Sequence, residues 1–167
     1  SLGDFGTYLM KKGNEVIGFD ISSRAVEICK KRGIEAYQIN IETENFPHLG
    51  EFDGILMLEI VEHLIDPLPV LQKLHDVLSP SGFILLSTPN AAYIKSRLHL
   101  LMGHMPLFGE DRANAKIPRP YNLQHKTPLT VPNLYQLLKM AGFRVVHIEP
   151  EEYGVSKSWD RPGLREF

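Results

Sequence analysis

Glu62 and His63 stand side by side just past the apolar run Phe52–Leu58. A carboxylate beside an imidazole can accept a proton and pass it on near neutral pH. The same pair can instead serve only its own loop through hydrogen bonds. His125, ahead of a helical stretch that begins near Thr130, has a similar claim as a proton acceptor. At the other end of the chain, Gly3-Asp4-Phe5-Gly6 forms a glycine turn, and an apolar strand 15–20 ends on Asp20. Glycines let a backbone turn tightly and approach a ligand, and a helix after the turn offers free N–H groups. A carboxylate at the tip of the next strand can take two ribose hydroxyls. The opening therefore reads as a pocket for an adenosine-containing cofactor. A plain turn at Gly3 and a capping role for Asp20 beside Ser22 are the structural alternatives. His48, His75 and His147 read as exposed or structural, His99 and His104 could touch a substrate, and no ligand spacing suggests a metal.

The elements that must position these residues alternate between two periodicities. Residues 4–12 predict a short helix closed by Gly13, with Lys11 and Lys12 near its C-terminal dipole. Ser22-Ser23 offers an N-cap for a helix carrying Ala25, Val26 and Cys29 on one face as far as Gly33, and 34–39 alternates as a strand. Phe52–Leu58 is nearly all apolar, as in a strand covered on both faces. Asp66-Pro67 starts a helix with Val70, Leu71, Leu74, Val77 and Leu78 as its buried stripe. Ser79-Pro80-Ser81-Gly82 stops it before a buried strand 83–87. Thr130 caps a last helix ending at Gly142, and 143–148 reads as the last strand. Strands alternating with helices of about three turns give βαβ units and a mainly parallel sheet.

Between Asn90 and Pro128 the pattern changes. Residues 93–102 can form an amphipathic helix, with Ile94, Leu98, Leu101 and Met102 apolar, and 103–128 are irregular and hold four prolines. So long a connection inside one domain is usually a lid or a mobile loop. Residues 91–128 hold six basic and two acidic residues, an excess of +4, which leaves −6 for the rest of a chain whose total is −2. That excess suits an anionic acceptor, and equally an ordinary solvated loop.

The 167 residues, 43% of them hydrophobic, suit a single domain with its own core. A net charge of −2 supplies no global field toward nucleic acid or a membrane. The lone Cys29 suits a reducing cytosol and reads as a buried thiol. No run approaches the ~20 apolar residues of a membrane span and no signal peptide opens the sequence, so a cytoplasmic protein is expected. No strand precedes Gly3, although a glycine-rich cofactor loop normally follows one.

The order of these segments resembles the class I S-adenosylmethionine-dependent methyltransferases over almost the whole chain. Gly3-Asp4-Phe5-Gly6 resembles the tail of the family's first motif, and Gly18-Phe19-Asp20-Ile21-Ser22 its ribose-binding motif. Asn40-Ile41 stands where many members contact the adenine, and 52–64, with Glu62-His63, is similar to the fourth motif. Leu78 to Asn90 resembles the entry and exit of the fifth strand, and His125 to Phe143 the last helix with its lead-in. The insert from Pro89-Asn90 is similar to a branch related to ubiquinone-pathway O-methyltransferases and the methionine-biosynthesis protein W.

The resemblance implies an α/β fold, a Rossmann-like three-layer sandwich with strand order 3-2-1-4-5-7-6 and the seventh strand antiparallel. On that resemblance the family's N-terminal strand would be missing from these 167 residues, and part of the last hairpin would be expected in 150–167. It implies one methyltransferase domain, 1–167, with 91–128 as a lid on the substrate side. S-adenosyl-L-methionine would be the cofactor and S-adenosyl-L-homocysteine the product, held by Gly3, Phe5, Asp20, Ile21, Asn40, Ile41, Leu58 and Glu59. Ile21 and Ile41 would sandwich the adenine or belong to the core, and Asn40 would contact adenine or serve its turn. Glu62, His63 and His125 would be the catalytic candidates, with no metal. A small-molecule acceptor is expected, with no nucleic-acid partner, in a monomer or homodimer. A nicotinamide-dependent oxidoreductase shares the glycine loop, strand and acid, and a non-catalytic methyltransferase-like partner protein keeps the same residues.

Overall fold

Two parallel strand pairs, each with a helical crossover, are found in the computed structural model, which describes residues 3–47, 50–104 and 125–150. The first pair joins β1 (Ile17–Asp20) to β2 (Glu35–Gln38), with Ile17 opposite Glu35 and Asp20 opposite Gln38. Helix α1 (Asp4–Lys11) precedes it and α2 (Ser23–Lys31) connects its strands. Ser22 caps α2 as expected, its hydroxyl accepting from the Ala25 N–H at 3.3 Å, and Ala25 and Val26 are buried. Cys29 is half-buried rather than buried, its sulfur lying where Gly3 would carry a Cβ.

The second pair joins β3 (Phe52–Leu58) to β4 (Leu78–Ser87). Helix α3 (Pro67–Asp76) connects them, its N-cap Asp66 accepting from the Leu68 N–H at 3.2 Å. The expected turn 79–82 does not separate helix from strand. Pairing runs from Phe52↔Leu78 to Gly54↔Phe83, so Ser79–Gly82 is an excursion within β4. A short 3₁₀ turn, Val61–His63, comes after β3, and α5 (Val131–Met140) packs beside α3. Thr130 caps α5, accepting from the Asn133 N–H at 3.3 Å.

The core sits between the second pair and these two helices. Val61, Val70 and Leu71 are at most 1% exposed, with Met57, Leu64, Leu74, Leu129 and Ala141 around them. Full coverage is not observed for either strand expected to be buried. In β3 only Met57 is buried and Leu58 is exposed. In β4 Ile84 and Leu86 pack on the core while Phe83 and Leu85, on the opposite face, are exposed. Nor do the pairs join into one sheet among the described residues. They are tied by the loop after β2, where the Lys73 ammonium donates to the carbonyls of Ile41 at 2.6 Å and Glu44 at 2.9 Å. Glu42 adds a carboxylate that accepts from the Ile65 N–H at 2.7 Å. Phe46 stacks on Phe19 of β1 and also packs against the core.

Two further expectations differ. Residues 143–148 are not a strand: Phe143 and Val145 are half-covered, but an extended segment becomes a strand only with a ladder partner, and none is found among the described residues. Helix α4 (Ile94–Leu101) forms where expected, yet Ile94, Leu98, Leu101 and Met102 are exposed and Ser96 is the buried residue. Most of the irregular insert (105–124), its charged residues Glu110, Asp111, Arg112, Lys116 and Arg119, His48, and the hairpin expected after Pro150 lie outside the described residues. No helix among the described residues is long and apolar enough to cross a membrane.

Candidate functional site

Parallel strands deliver their succeeding loops to one edge of a sheet, and Asp20, Asn40, Glu59 and the 3₁₀ turn all lie at or just past the carboxyl ends of their strands. Asp20 ends β1 with one carboxylate oxygen accepting from the Ser22 N–H at 2.8 Å, so the turn-forming role is real. A single turn bond leaves acceptor capacity in an ionised carboxylate, on its other oxygen above all. Ile21 is 66% exposed, not part of the core. Asn40 accepts from the Glu42 N–H at 3.0 Å and its own N–H donates to the Glu44 carboxylate at 2.8 Å, which makes it a turn residue whose side-chain NH₂ is left for other use. Ile41 packs against the core, and its carbonyl holds Lys73.

Gly3 caps α1 at φ 84°, a left-handed conformation, and a Cβ there would come within 3.0 Å of Cys29 Sγ and Ile34 Cδ1. The close approach at Gly3 is thus made to neighbouring side chains of the fold. The Phe5 ring, two residues on, lies 6.0 Å from the Tyr8 ring between centroids. Of two hollows among the described residues, one is lined by Asp4, Thr7, Tyr8, Lys11 and Arg32, the other by Phe46, Lys73 and their neighbours. A hollow by itself is only a concavity, and neither holds the residues singled out by chemistry.

Beyond β3, Leu58 is 36% exposed and Glu59 adopts φ 54°, the single positive φ outside glycine among the described residues. Such a conformation costs about 1–3 kcal/mol and persists only where neighbours enforce it. Ser87, at the end of β4, is that neighbour. The Glu59 N–H donates to the Ser87 carbonyl and hydroxyl, each at 3.1 Å, and the hydroxyl donates to the Glu59 carboxylate at 2.8 Å. Nothing in the sequence pattern singles out Ser87, because its role depends on two strand ends meeting.

Glu62, His63 and His125 do meet. The His63 and His125 rings lie 4.9 Å apart in an edge contact, and His63 Nε2 stands 3.8 Å from Glu62 Oε1. The Glu62 side chain is 2% exposed, and neither carboxylate oxygen has a hydrogen-bond partner from the described residues. His125 is brought there by the return of the insert. The Thr127 N–H donates to the Glu62 carbonyl at 3.0 Å and its hydroxyl to the Leu64 carbonyl at 2.7 Å. Asn90 and Leu129 form a parallel bridge, so the insert leaves and re-enters the fold at one place. Thr127, like Ser87, holds this backbone in place without being signalled by the sequence. His75 packs edge-on against Phe143 and His147 is exposed, as expected, while the His104 N–H closes the end of α4 on the His99 carbonyl at 2.8 Å.

The sequence profile of a family described as "Methyltransferase domain" matches residues 2–148. The chain belongs to that family, the class I S-adenosylmethionine-dependent methyltransferases. A ubiquinone biosynthesis O-methyltransferase from Ruegeria pomeroyi is 30% identical over 143 residues, covering 83% of this chain and 54% of that protein. One of the same name from Vibrio campbellii is 30% identical over 57% of this chain and 43% of its own length. The chain thus spans about half the length of the curated relatives it matches. A SAM-dependent methyltransferase from Archaeoglobus fulgidus superposes with a TM-score of 0.59 at 21% identity, over 86% of this chain and 57% of that one. The plantazolicin methyltransferase BpumL in complex with SAH gives 0.62 at 23%, over 83% and 51%. These likenesses place the chain in the Rossmann-like α/β class.

Proposed function

We propose that this methyltransferase domain binds S-adenosylmethionine at its carboxyl edge and moves the sulfonium methyl, by in-line displacement, to a nucleophile of a small-molecule acceptor. Asp20 would take the ribose hydroxyls, Ile21 and Ile41 would flank the adenine, and Asn40 would offer its side-chain NH₂. The Leu58–Glu59 backbone would line the donor site together with Gly3 and Phe5. The observation that carries the reading is Asp20-Ile21: a carboxylate with spare acceptor capacity beside an isoleucine that is 66% exposed where a core residue would be buried. The complex of BpumL with SAH and the name of the SAM-dependent methyltransferase from Archaeoglobus fulgidus support the same donor.

Transfer from a sulfonium needs no covalent intermediate, since the leaving group is already installed. Binding and alignment carry most of the work, and orientation alone is worth roughly 7–11 kcal/mol. The relatives named O-methyltransferases favour a hydroxyl acceptor, whose proton must leave. Glu62, His63 and His125 mark where it would be lost, with 91–128 as the lid that covers the acceptor. An oxidoreductase using nicotinamide gives no account of the 59–63 and 130–143 segments that the family match includes. Thermal unfolding of the full chain with each compound tests the donor. S-adenosylhomocysteine at about 100 times its dissociation constant should stabilise the chain by about 2.7 kcal/mol, and NAD should do nothing. Stabilisation by NAD alone would reverse the assignment, and tight donor binding with no turnover on hydroxyl, amine or thiol acceptors would mark a non-catalytic member.

A further inference from the structure

We propose that Glu62, His63 and His125 form a site for one divalent transition-metal ion of the zinc or cobalt kind. The three side chains offer one ligand atom each, and these atoms all lie within 4.8 Å of one another. Ligands bound at about 2.0–2.1 Å in a tetrahedral site stand roughly 3.3 Å apart, so small side-chain rotations close the cluster on an ion. Glu62 Oε1 and His63 Nε2, at 3.8 Å, are too far apart for a hydrogen bond and close to the spacing of two ligands sharing a cation.

The carboxylate of Glu62 is the independent observation. It is buried, and both its oxygens lack a hydrogen-bond partner among the described residues. An ionised carboxylate so placed carries a desolvation cost of several kcal/mol unless a charge or donors answer it. A cation between Glu62 and the two imidazoles would supply that charge. The backbone around the cluster is already fixed, by Thr127 on the carbonyls of Glu62 and Leu64 and by the Asn90–Leu129 bridge. The site would then be held in place before the ion arrives.

The donor set decides the class of ion. Two imidazole nitrogens with one carboxylate suit zinc, cobalt and neighbouring transition ions, whereas magnesium and calcium prefer oxygen alone. Three protein ligands leave a coordination position open, the pattern of catalytic rather than structural sites. Its catalytic use rests on the methyltransferase reading; the binding itself does not. An acceptor hydroxyl on the open position would have its pKa lowered by the ion. Its proton leaves to solvent, the oxygen lone pair forms the new C–O bond to the methyl, and the C–S bond electrons remain on sulfur as a neutral thioether.

The test is a titration of the chelator-stripped full chain with Co²⁺, monitored by visible absorption and calorimetry. We expect one ion per chain, displaced by Zn²⁺, with Glu62→Gln and His125→Ala each weakening it by at least about tenfold. Circular dichroism melts show whether each variant folds, and His125→Ala, at the half-exposed edge of the cluster, decides the matter should Glu62→Gln not fold. Asp20→Ala should leave the cobalt titration unchanged while S-adenosylhomocysteine binding weakens about a hundredfold, so the two sites fail separately. Cobalt bound no more tightly than by His125→Ala overturns the proposal; this is also the outcome expected if an imidazolium at His63 answers the Glu62 charge. Methyl transfer that persists in chelator, with donor binding intact, overturns the ion's catalytic use and leaves the methyltransferase reading standing.

Discussion

The two strand pairs, each with its helices one half of the described fold, prepare their edges differently. Around β1–β2, the polar groups past the strands are held by near neighbours in sequence: Asp20 by Ser22, Asn40 by Glu42 and Glu44. Around β3–β4, they are held across the chain: Glu59 by Ser87, Glu62 by Thr127, His63 against His125. The first half presents exposed turn residues with capacity to spare. The second buries a carboxylate and strains a backbone. Binding a whole nucleoside by its hydroxyls and ring asks only for correctly shaped turns. Positioning one reacting atom asks for groups fixed from several directions, and tertiary structure supplies those.

Stability should separate the halves most. Leu71→Ala, in the core beneath β3–β4, should cost about 2–5 kcal/mol in denaturant unfolding. Ser22→Ala, which removes the α2 cap in the first half, should cost about 1 kcal/mol. Equal losses would mean that the core is not concentrated where the buried residues place it. Thr127→Val sharpens the comparison. It removes a hydroxyl bond worth about 1 kcal/mol, and by loosening the return of the insert it should lower kcat while donor affinity stays constant. A parallel fall in donor affinity would show that the two edges are not separable.

The smallest effect is a pH dependence confined to β2. The Tyr37 hydroxyl donates to the Glu35 carboxylate, and this bond, then partial burial and the nearby negative charge, hold the phenol above its ordinary value. The folded-state value is the raised one. Its contribution to stability is therefore present below the ordinary phenol range and fades as pH rises through the folded value. Ultraviolet titration of Glu35→Gln should return Tyr37 toward the ordinary value, and an unchanged titration would remove the bond as cause.

Legibility in the sequence divides along the same line. Ser22, Asp66 and Thr130 cap their helices as their positions foretell, and Phe52–Leu58 is the strand its composition announces, because caps and apolar runs are local signals. The excursion at Ser79–Gly82 is hidden because proline and glycine mark a bulge as readily as a turn. Residues 143–148 have the composition of a strand, but composition does not supply a partner. Helix α4 is legible as a helix and its burial is not, since periodicity gives a face without saying what covers it. Asp20, Asn40 and Glu62-His63 can be named from their segments. Ser87, Thr127 and the meeting of His63 with His125 cannot, because each depends on residues far apart in the chain.

Recognition of the donor ribose by the carboxyl edge of β1 is tested most directly by calorimetric titration of S-adenosylhomocysteine into the full chain and its Asp20→Ala variant. Binding should weaken about a hundredfold in the variant, the loss of charge-assisted hydrogen bonds of about 1.5–3 kcal/mol each. Equal affinity in the two proteins would contradict that role for Asp20.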